Sequence, residues 1–384
     1  MANTAWYAIT MGRGTPSDGA WYAMSDTARS WCGASSADRY PGRVNRRYVL
    51  PLALVLPILV IVVVAFNVRA PYVALGPGPV FDTLGEIEGT PVVALEGIEA
   101  DETEGSLFMT TVGVTDNLTL AQTFTAWISG RYGVAPREQV YPPDRSKDEV
   151  QAVDQAQFAQ SERSAELAAL HYLDLPVTLR IAEVGQDAPA SGLLEAGDRI
   201  VAVGGEEMRT AGQVQRAVGD VPPGESVGIT VLRGDAEESF DVPVGPRPGD
   251  PDKGFLGIAT EEVPEVPFEV TFNLADIGGP SAGLMFSLAV VDKLSPGLLN
   301  GGLDVAGTGT IDSDGMVGPI GGITHKLTAA SEDGATVFLV PAENCAEAQS
   351  GAPEGVQLVK VETLEGAIDA LAAIADGRDA PTCS

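Results

Sequence analysis

Hydrophobic and polar positions along the chain change rhythm several times, and each rhythm predicts a different element. From Tyr48 to Phe66 the run YVLPLALVLPILVIVVVAF is apolar on every face, and as a helix it would rise roughly 28 Å, close to a bilayer core. It predicts a transmembrane helix over 48-67, which Pro51 and Pro57 permit because membrane helices tolerate proline. YVALGPGPVFDTLG is dense in glycine and proline and reads as an extended connector over 68-85. PVVAL and SLFMTTVGV then alternate as strands do. DEVQAVDQAQFAQSERSAELAALHYL sets Val150, Val153, Phe158, Ala165, Leu167 and Leu170 at helical spacing, as one long helix or a helix pair.

Residues 174-246 change character again, with strand-like VTLRIAEV, helix-like RTAGQVQRAV, a PPGE turn and strands GITVLRG and ESFDVPV. After them FEVTFNL predicts a strand entering a glycine-rich turn. The helix that follows has Leu284, Met285, Leu288 and Val291 on its apolar face, and TVFLVP reads as a buried strand.

Charge narrows the functions. The 384 residues carry 53 Asp+Glu against 23 Lys+Arg, a net charge of -30, which repels a phosphate backbone and argues against nucleic acid as a partner. Two histidines and three scattered cysteines offer no zinc spacing, so no metal and no cofactor are expected. No GxxxxGK[ST] loop occurs, so ATP is not expected as a ligand. Arg43, Arg46 and Arg47 precede the apolar run and Arg69 follows it. Positive-inside bias then predicts a single-pass cell-membrane anchor, with a cytoplasmic tail over 1-47 and everything after the span extracytoplasmic. A cleaved signal peptide has the same layout, but the long run without a small-x-small exit favours a retained signal anchor. Residues 1 to 42, with the echo AWYAIT and AWYAMS, predict a disordered tail or an extension upstream of the true start. Cys345 and Cys383 lie beyond the span and Cys32 before it, which predicts a Cys345–Cys383 disulfide.

The stretch from Pro189 to Ile200 (PASGLLEAGDRI), followed by Val203 and Gly204, resembles PDZ domains. The resemblance implies that a peptide C-terminus adds as a strand beside Leu175, Val177, Leu179 and Ile181, opposite the helix around Gln213 to Val218. A small β domain serving as a spacer is the alternative.

From Phe255 onward two motifs resemble the proteolytic domain of Lon-type peptidases. In GGPSAG, Ser281 stands at the start of a helix, with Gly279, Pro280 and Ala282 forming the turn that admits a substrate carbonyl to backbone N–H groups. In GTGTIDSDGMVGPIGGITHKL, Gly321 and Gly322 open a helix carrying Lys326, and Thr308 matches a family threonine. Alone, Ser281 would read as a helix cap and Lys326 as an exposed lysine; in family order they imply a Ser/Lys dyad. His325 is the rival base, but its neighbour's position turns it elsewhere on the helix. Classical Lon has Lys and Asp where this chain has Ile277 and Gly278, so the nearer resemblance is to the membrane-anchored, PDZ-containing Lon-like peptidases of bacteria.

The implied fold is α+β: a Lon-type proteolytic domain with an inserted PDZ domain, a small β-barrel with helices, preceded by one transmembrane helix. Segments are 86-173 for the N-terminal part of the Lon-like domain, 174-246 for the PDZ domain, 255-376 for the catalytic part and 377-384 for a tail. The implied function is an ATP-independent serine endopeptidase acting on unfolded or membrane-proximal polypeptide substrates, with room for a homo-oligomer. The alternative is a catalytically silent PDZ scaffold or a regulator of another protease.

Overall fold

The computed structural model describes residues 46–383 apart from Glu102 and Asp276, with side chains from Leu54 onward. The expectations for residues 1–45, Cys32 among them, lie outside the described residues. Helix α1 (Arg46–Asn67) is followed by β1 (Tyr72–Asp82), β2 (Val93–Glu96), β3 (Ser106–Thr115), α2 (Leu120–Ser129), β4 (Gly133–Pro136) and α3 (Lys147–Tyr172). Next come β5 (Val177–Val184), β6 (Arg199–Val203), α4 (Ala211–Gly219), β7 (Ser226–Arg233), β8 (Ala236–Pro243), β9 (Ile258–Pro264) and β10 (Glu269–Phe272). The chain continues through α5 (Gly283–Leu294), β11 (Asp304–Gly307), β12 (Thr310–Ile311), β13 (Val317–Gly318), α6 (Ile323–Glu332), β14 (Val337–Pro341), β15 (Gln357–Val361) and α7 (Leu364–Ala375).

The membrane expectation is corrected here. Among the described residues no helix is long and apolar enough to cross a membrane. The single-pass anchor over 48-67 and the membrane localisation built on it therefore fall.

The main sheet has the order β15–β14–β11–β3–β1–β4. Its strands β3, β11, β14 and β15 run parallel, while β1 is antiparallel to β3 and β4. Parallel strands covered on both faces need apolar residues at consecutive positions, and β14 supplies them. Val337 and Leu339 enter the core on one face with Met285, Leu288 and Phe158. Phe338 and Val340 enter the core on the other with Ile323 and Leu327. Helix α5 lies in the first core and α6 in the second. The first core joins Leu107, Met109 and Phe158 to Leu284, Val305 and Leu371, so it draws on chain from both sides of residues 174-246.

One expectation about segments changes and another narrows to one of its alternatives. The expected connector over 68-85 contains β1, an interior strand of the main sheet. A β-bulge between Pro77 and Val80 absorbs its Gly-Pro pairs and keeps the strand in register with β3. The helical region 147–172 is one helix, started by a capping box between Ser146 and Glu149.

The second sheet follows the path β8–β7–β6–β5–β9, with Glu206–Glu207 paired beside β6. Helix α4 contributes Val214 and Val218 to its separate core. Its last strand is β9, from the segment 255-376 assigned above to the catalytic part, so this sheet closes only at Pro264. At the C-terminus Cys345 and Cys383 are disulfide-bonded. The end of the chain lies against β15, where Lys360 N donates to Pro381 O.

Candidate active site

The carboxyl ends of parallel strands are where loops leave a sheet and where α/β folds hold ligands. Here β11 ends at Gly307, and Thr308 and Gly309 run directly into a cleft where the amino ends of α5 and α6 converge. Helix α5 starts at Gly283, where a Cβ would stand 2.8 Å from Ile311 Cγ2 and 3.0 Å from Ser161 Oγ. Only glycine lets the helix approach so closely. Ser281 thus lies one residue before the N-cap, Ala282, rather than at the cap itself. The preceding turn is held from α3, where Ser161 Oγ donates to Pro280 O at 3.0 Å and Asp154 O accepts from Gly279 N. Helix α6 begins at Gly322, whose φ of 71° is open to glycine at little cost. One turn on, it delivers Lys326.

The side chains meet as follows. Lys326 Nζ is 2.7 Å from Ser281 Oγ and 2.8 Å from Thr308 Oγ1. Thr308 Oγ1 in turn donates to the carbonyl of Ser281 at 3.0 Å. Lys326 is 2% exposed, among Ile323, Leu327 and the apolar lining of the second core. Burial pushes its ammonium down to about 7. From an ordinary lysine near 10.5, that is roughly 5 kcal/mol of disfavour for the charged form. Ser281 is half-buried at the wall of a cavity of about 650 Å³, with Met109, Val112, Phe158, Ile277 and Ile320 around it.

The structure therefore brings Ser281, Lys326 and Thr308 into direct contact, with Gly279, Pro280 and Ala282 lining the same cavity. His325 lies elsewhere, with Gly133 against its Nε2. No group of three or more His, Cys, Asp or Glu that could hold a metal occurs among the described residues.

The second expected site moves. Leu175, Val177, Leu179 and Ile181 do not border an open edge, because β9 pairs with β5 from Val177 to Val184. Leu179 and Ile181 are core residues. The exposed edge belongs to β9, and a groove of about 400 Å³ runs between it and α4. Ala211, Val214, Gln215 and Val218 form one wall, while Ile258 and Thr260 form the other. The loop Gly254–Phe255–Leu256–Gly257 and Arg247 close one end. The signal for this groove stood in the sequence as GFLGI, a glycine-bracketed loop directly ahead of a strand.

Two segments of the chain match known families. Residues 275–372 match the Lon protease (S16) C-terminal proteolytic domain, and residues 157–244 match the PDZ domain. The Lon protease of Phenylobacterium zucineum is 36% identical over 24% of this chain and 12% of its own length. Lon protease 2 of Bacillus subtilis is 32% identical over 24% of this chain and 16% of its own length. The matches thus span about an eighth to a sixth of those relatives. Among solved structures, the PDZ domain of an SdrC-like protein from Listeria monocytogenes is 24% identical, over 21% of this chain and 85% of that one, at a TM-score of 0.20.

Proposed function

We propose that the protein is a serine-type endopeptidase that works through Ser281 and Lys326 without ATP and recognises polypeptides through the α4–β9 groove. The observation that carries this reading is the 2.7 Å contact between Ser281 Oγ and a lysine that burial holds near neutrality. A neutral amine has one lone pair and two hydrogens. Donating a hydrogen to Thr308 Oγ1 leaves the lone pair free to accept from the Ser281 hydroxyl. Thr308 fixes this direction, because its own hydrogen is committed to the Ser281 carbonyl.

In the reaction Ser281 Oγ attacks the carbonyl carbon of the scissile bond as its proton passes to Lys326 Nζ. The C–O bond forms, the carbonyl π pair moves to oxygen, and the amino end of α5 favours that negative charge. Collapse breaks the C–N bond and Lys326 returns the proton to the leaving amine. Water then repeats the sequence on the acyl-enzyme and restores Ser281.

At the groove, an extended peptide adds antiparallel to β9, with its C-terminal carboxylate at the Gly254–Gly257 amides and beside Arg247. The scaffold reading uses this groove alone and needs no lysine near neutrality.

The test is labelling by a serine-directed phosphonate together with hydrolysis of a quenched peptide. Both are expected in the wild type and both vanish in Ser281→Ala. Equal labelling of the wild type and Ser281→Ala, or no hydrolysis at any pH, would favour the scaffold.

A further inference from the structure

The hairpin β12–β13 connects the dyad to the groove. Its stems lie at the active site: Thr310 and Pro319 line the catalytic cavity. Gly309, one residue before β12, donates to Ser281 O and accepts from Leu284 N. Its tip, Ser313–Asp314, lies instead against the second sheet. Asp314 Oδ2 accepts from Arg216 at 2.8 Å, and its Oδ1 accepts from the hydroxyl of Thr210, the N-cap of α4. Glu262, on β9, is buried to 4% side-chain exposure. Its Oε1 accepts from Ser313 Oγ at 2.7 Å and from Ala211 N at 2.8 Å, and its Oε2 is 2.8 Å from His171 Nε2.

Both walls of the groove are thus tied to one short hairpin, α4 through Thr210 and Arg216 and β9 through Glu262. The ties are polar and few. Beside them lies a cavity of about 630 Å³ lined by Arg209, Asp314, Met316 and Leu364, so apolar packing does not fill the junction. Helix α3 makes a second connection, since His171 touches Glu262 and Ser161 on the same helix holds the Pro280 turn.

We propose that Asp314 and Glu262 are positioning residues through which occupation of the α4–β9 groove sets the competence of Ser281, Thr308 and Lys326. The inference rests on the peptidase and groove readings above. A peptide wedged between β9 and α4 shifts one wall against the other, the carboxylates carry that shift to the hairpin tip, and its stems carry it to the Ser281 carbonyl. The device is a pair of anchors on a rigid lever, and its effect falls on turnover more than on binding of a short substrate.

The experiment uses the full chain, a short quenched peptide amidated at its C-terminus, and a tetrapeptide effector with a free apolar C-terminus. Asp314→Ala and Glu262→Gln are each expected to lower kcat about fivefold with KM within about twofold, a size typical of coupling residues. The effector is expected to change wild-type kcat by a similar factor, and both variants lose that response while still binding the effector. Asp314→Asn, which keeps an acceptor for Thr210, recovers part of kcat. If Asp314→Ala fails to fold, Arg216→Ala, which removes an exposed partner of the same carboxylate, reads the same coupling. Unchanged kcat and an intact effector response in these variants, or a loss confined to KM, would overturn the proposal. Activity surviving in Ser281→Ala would instead overturn the peptidase reading, so the two failures are distinguishable.

Discussion

The candidate active-site cleft and the α4–β9 groove are built on opposite terms. The catalytic cleft lies where parallel strands end and helices from both faces of a sheet begin, and it encloses a lysine at 2% exposure. The groove between α4 and β9 is an open strand edge facing one short helix, with a single cation, Arg247, at one end. The first keeps a charge out of water until the charge is unfavourable. The second leaves backbone N–H and C=O groups unpaired and needs no unusual ionisation. Burial makes a base; an unpaired edge makes a binding surface. Lys293 shows that burial alone is insufficient. Burial also pushes its ammonium down, but Asp292, Asp82 and Glu86 oppose the shift, whereas at Lys326 burial acts unopposed.

The largest effect should separate the clefts outright. Ser281→Ala and Lys326→Arg are each expected to reduce peptide hydrolysis at least about a thousandfold, because a guanidinium does not deprotonate and an alanine has no nucleophile. Binding of a C-terminal peptide in the groove, followed by fluorescence anisotropy, should stay within about twofold. A matching loss of peptide affinity would show that the clefts are one site.

Lys326→Met sharpens the same contrast through stability. The folded lysine releases its proton near 7, whereas the unfolded one holds it until roughly 10.5. Between those values the unfolded state binds more protons, so wild-type stability rises with pH across that window and is lowest below it. Replacing the ammonium by an apolar group of similar length should raise stability by about 2 kcal/mol at pH 7 after losses in packing, and by less as pH approaches 10. Denaturant titrations at pH 7 and pH 10 measure this, and a variant no more stable than wild type at pH 7 would show that Lys326 is not buried as a disfavoured cation.

Catalysis should follow the same ionisation. Below about pH 7 Lys326 is protonated and cannot accept from Ser281, so kcat/KM should fall roughly tenfold per pH unit there and flatten above. Glu162 is also pushed up by burial to about 7, but it does not line the catalytic cavity. Glu162→Gln should therefore leave the limb in place. A limb that moved with Glu162→Gln would reassign the controlling group.

Much of the candidate active-site cleft was legible because the residues that meet there sit in two short motifs. GGPSAG marks a turn that only small residues can make, and GGITHK places a lysine one turn into a helix. What the sequence hid there is mutual approach: nothing local to Thr308 says that its hydroxyl will bond both Lys326 and the Ser281 carbonyl. The groove was misplaced for a different reason. Val177 to Ile181 alternate as an edge strand does, but whether a strand is an edge depends on which later segment pairs with it. Here that segment is β9, beyond the expected end of the domain. The connector expectation failed similarly, because Gly and Pro in YVALGPGPVFD signal a break, while the pairing with β3 accommodates them as a bulge inside a sheet. At the apolar run from Tyr48, hydropathy predicted a span, whereas among the described residues no helix is long and apolar enough to cross a membrane.

The smallest effect concerns how the groove reads a chain end. Arg247 lines the closed end of the groove, and its Nη2 donates to Gly254 O at 3.4 Å and to Gln215 O at 3.5 Å. Those contacts are long, so the guanidinium is held loosely and can turn toward an anion. A carboxylate lodged at the Gly254–Gly257 amides would sit beside it, and a charge-assisted bond of this kind is about twice as strong as a neutral one. Arg247→Ala should therefore weaken a peptide with a free C-terminus about five- to tenfold, and leave the same peptide amidated at its end nearly unaffected. Calorimetry on the two peptides gives the comparison directly. If Arg247→Ala weakens both peptides equally, Arg247 supports the wall of the groove and carboxylate recognition falls to the backbone amides alone.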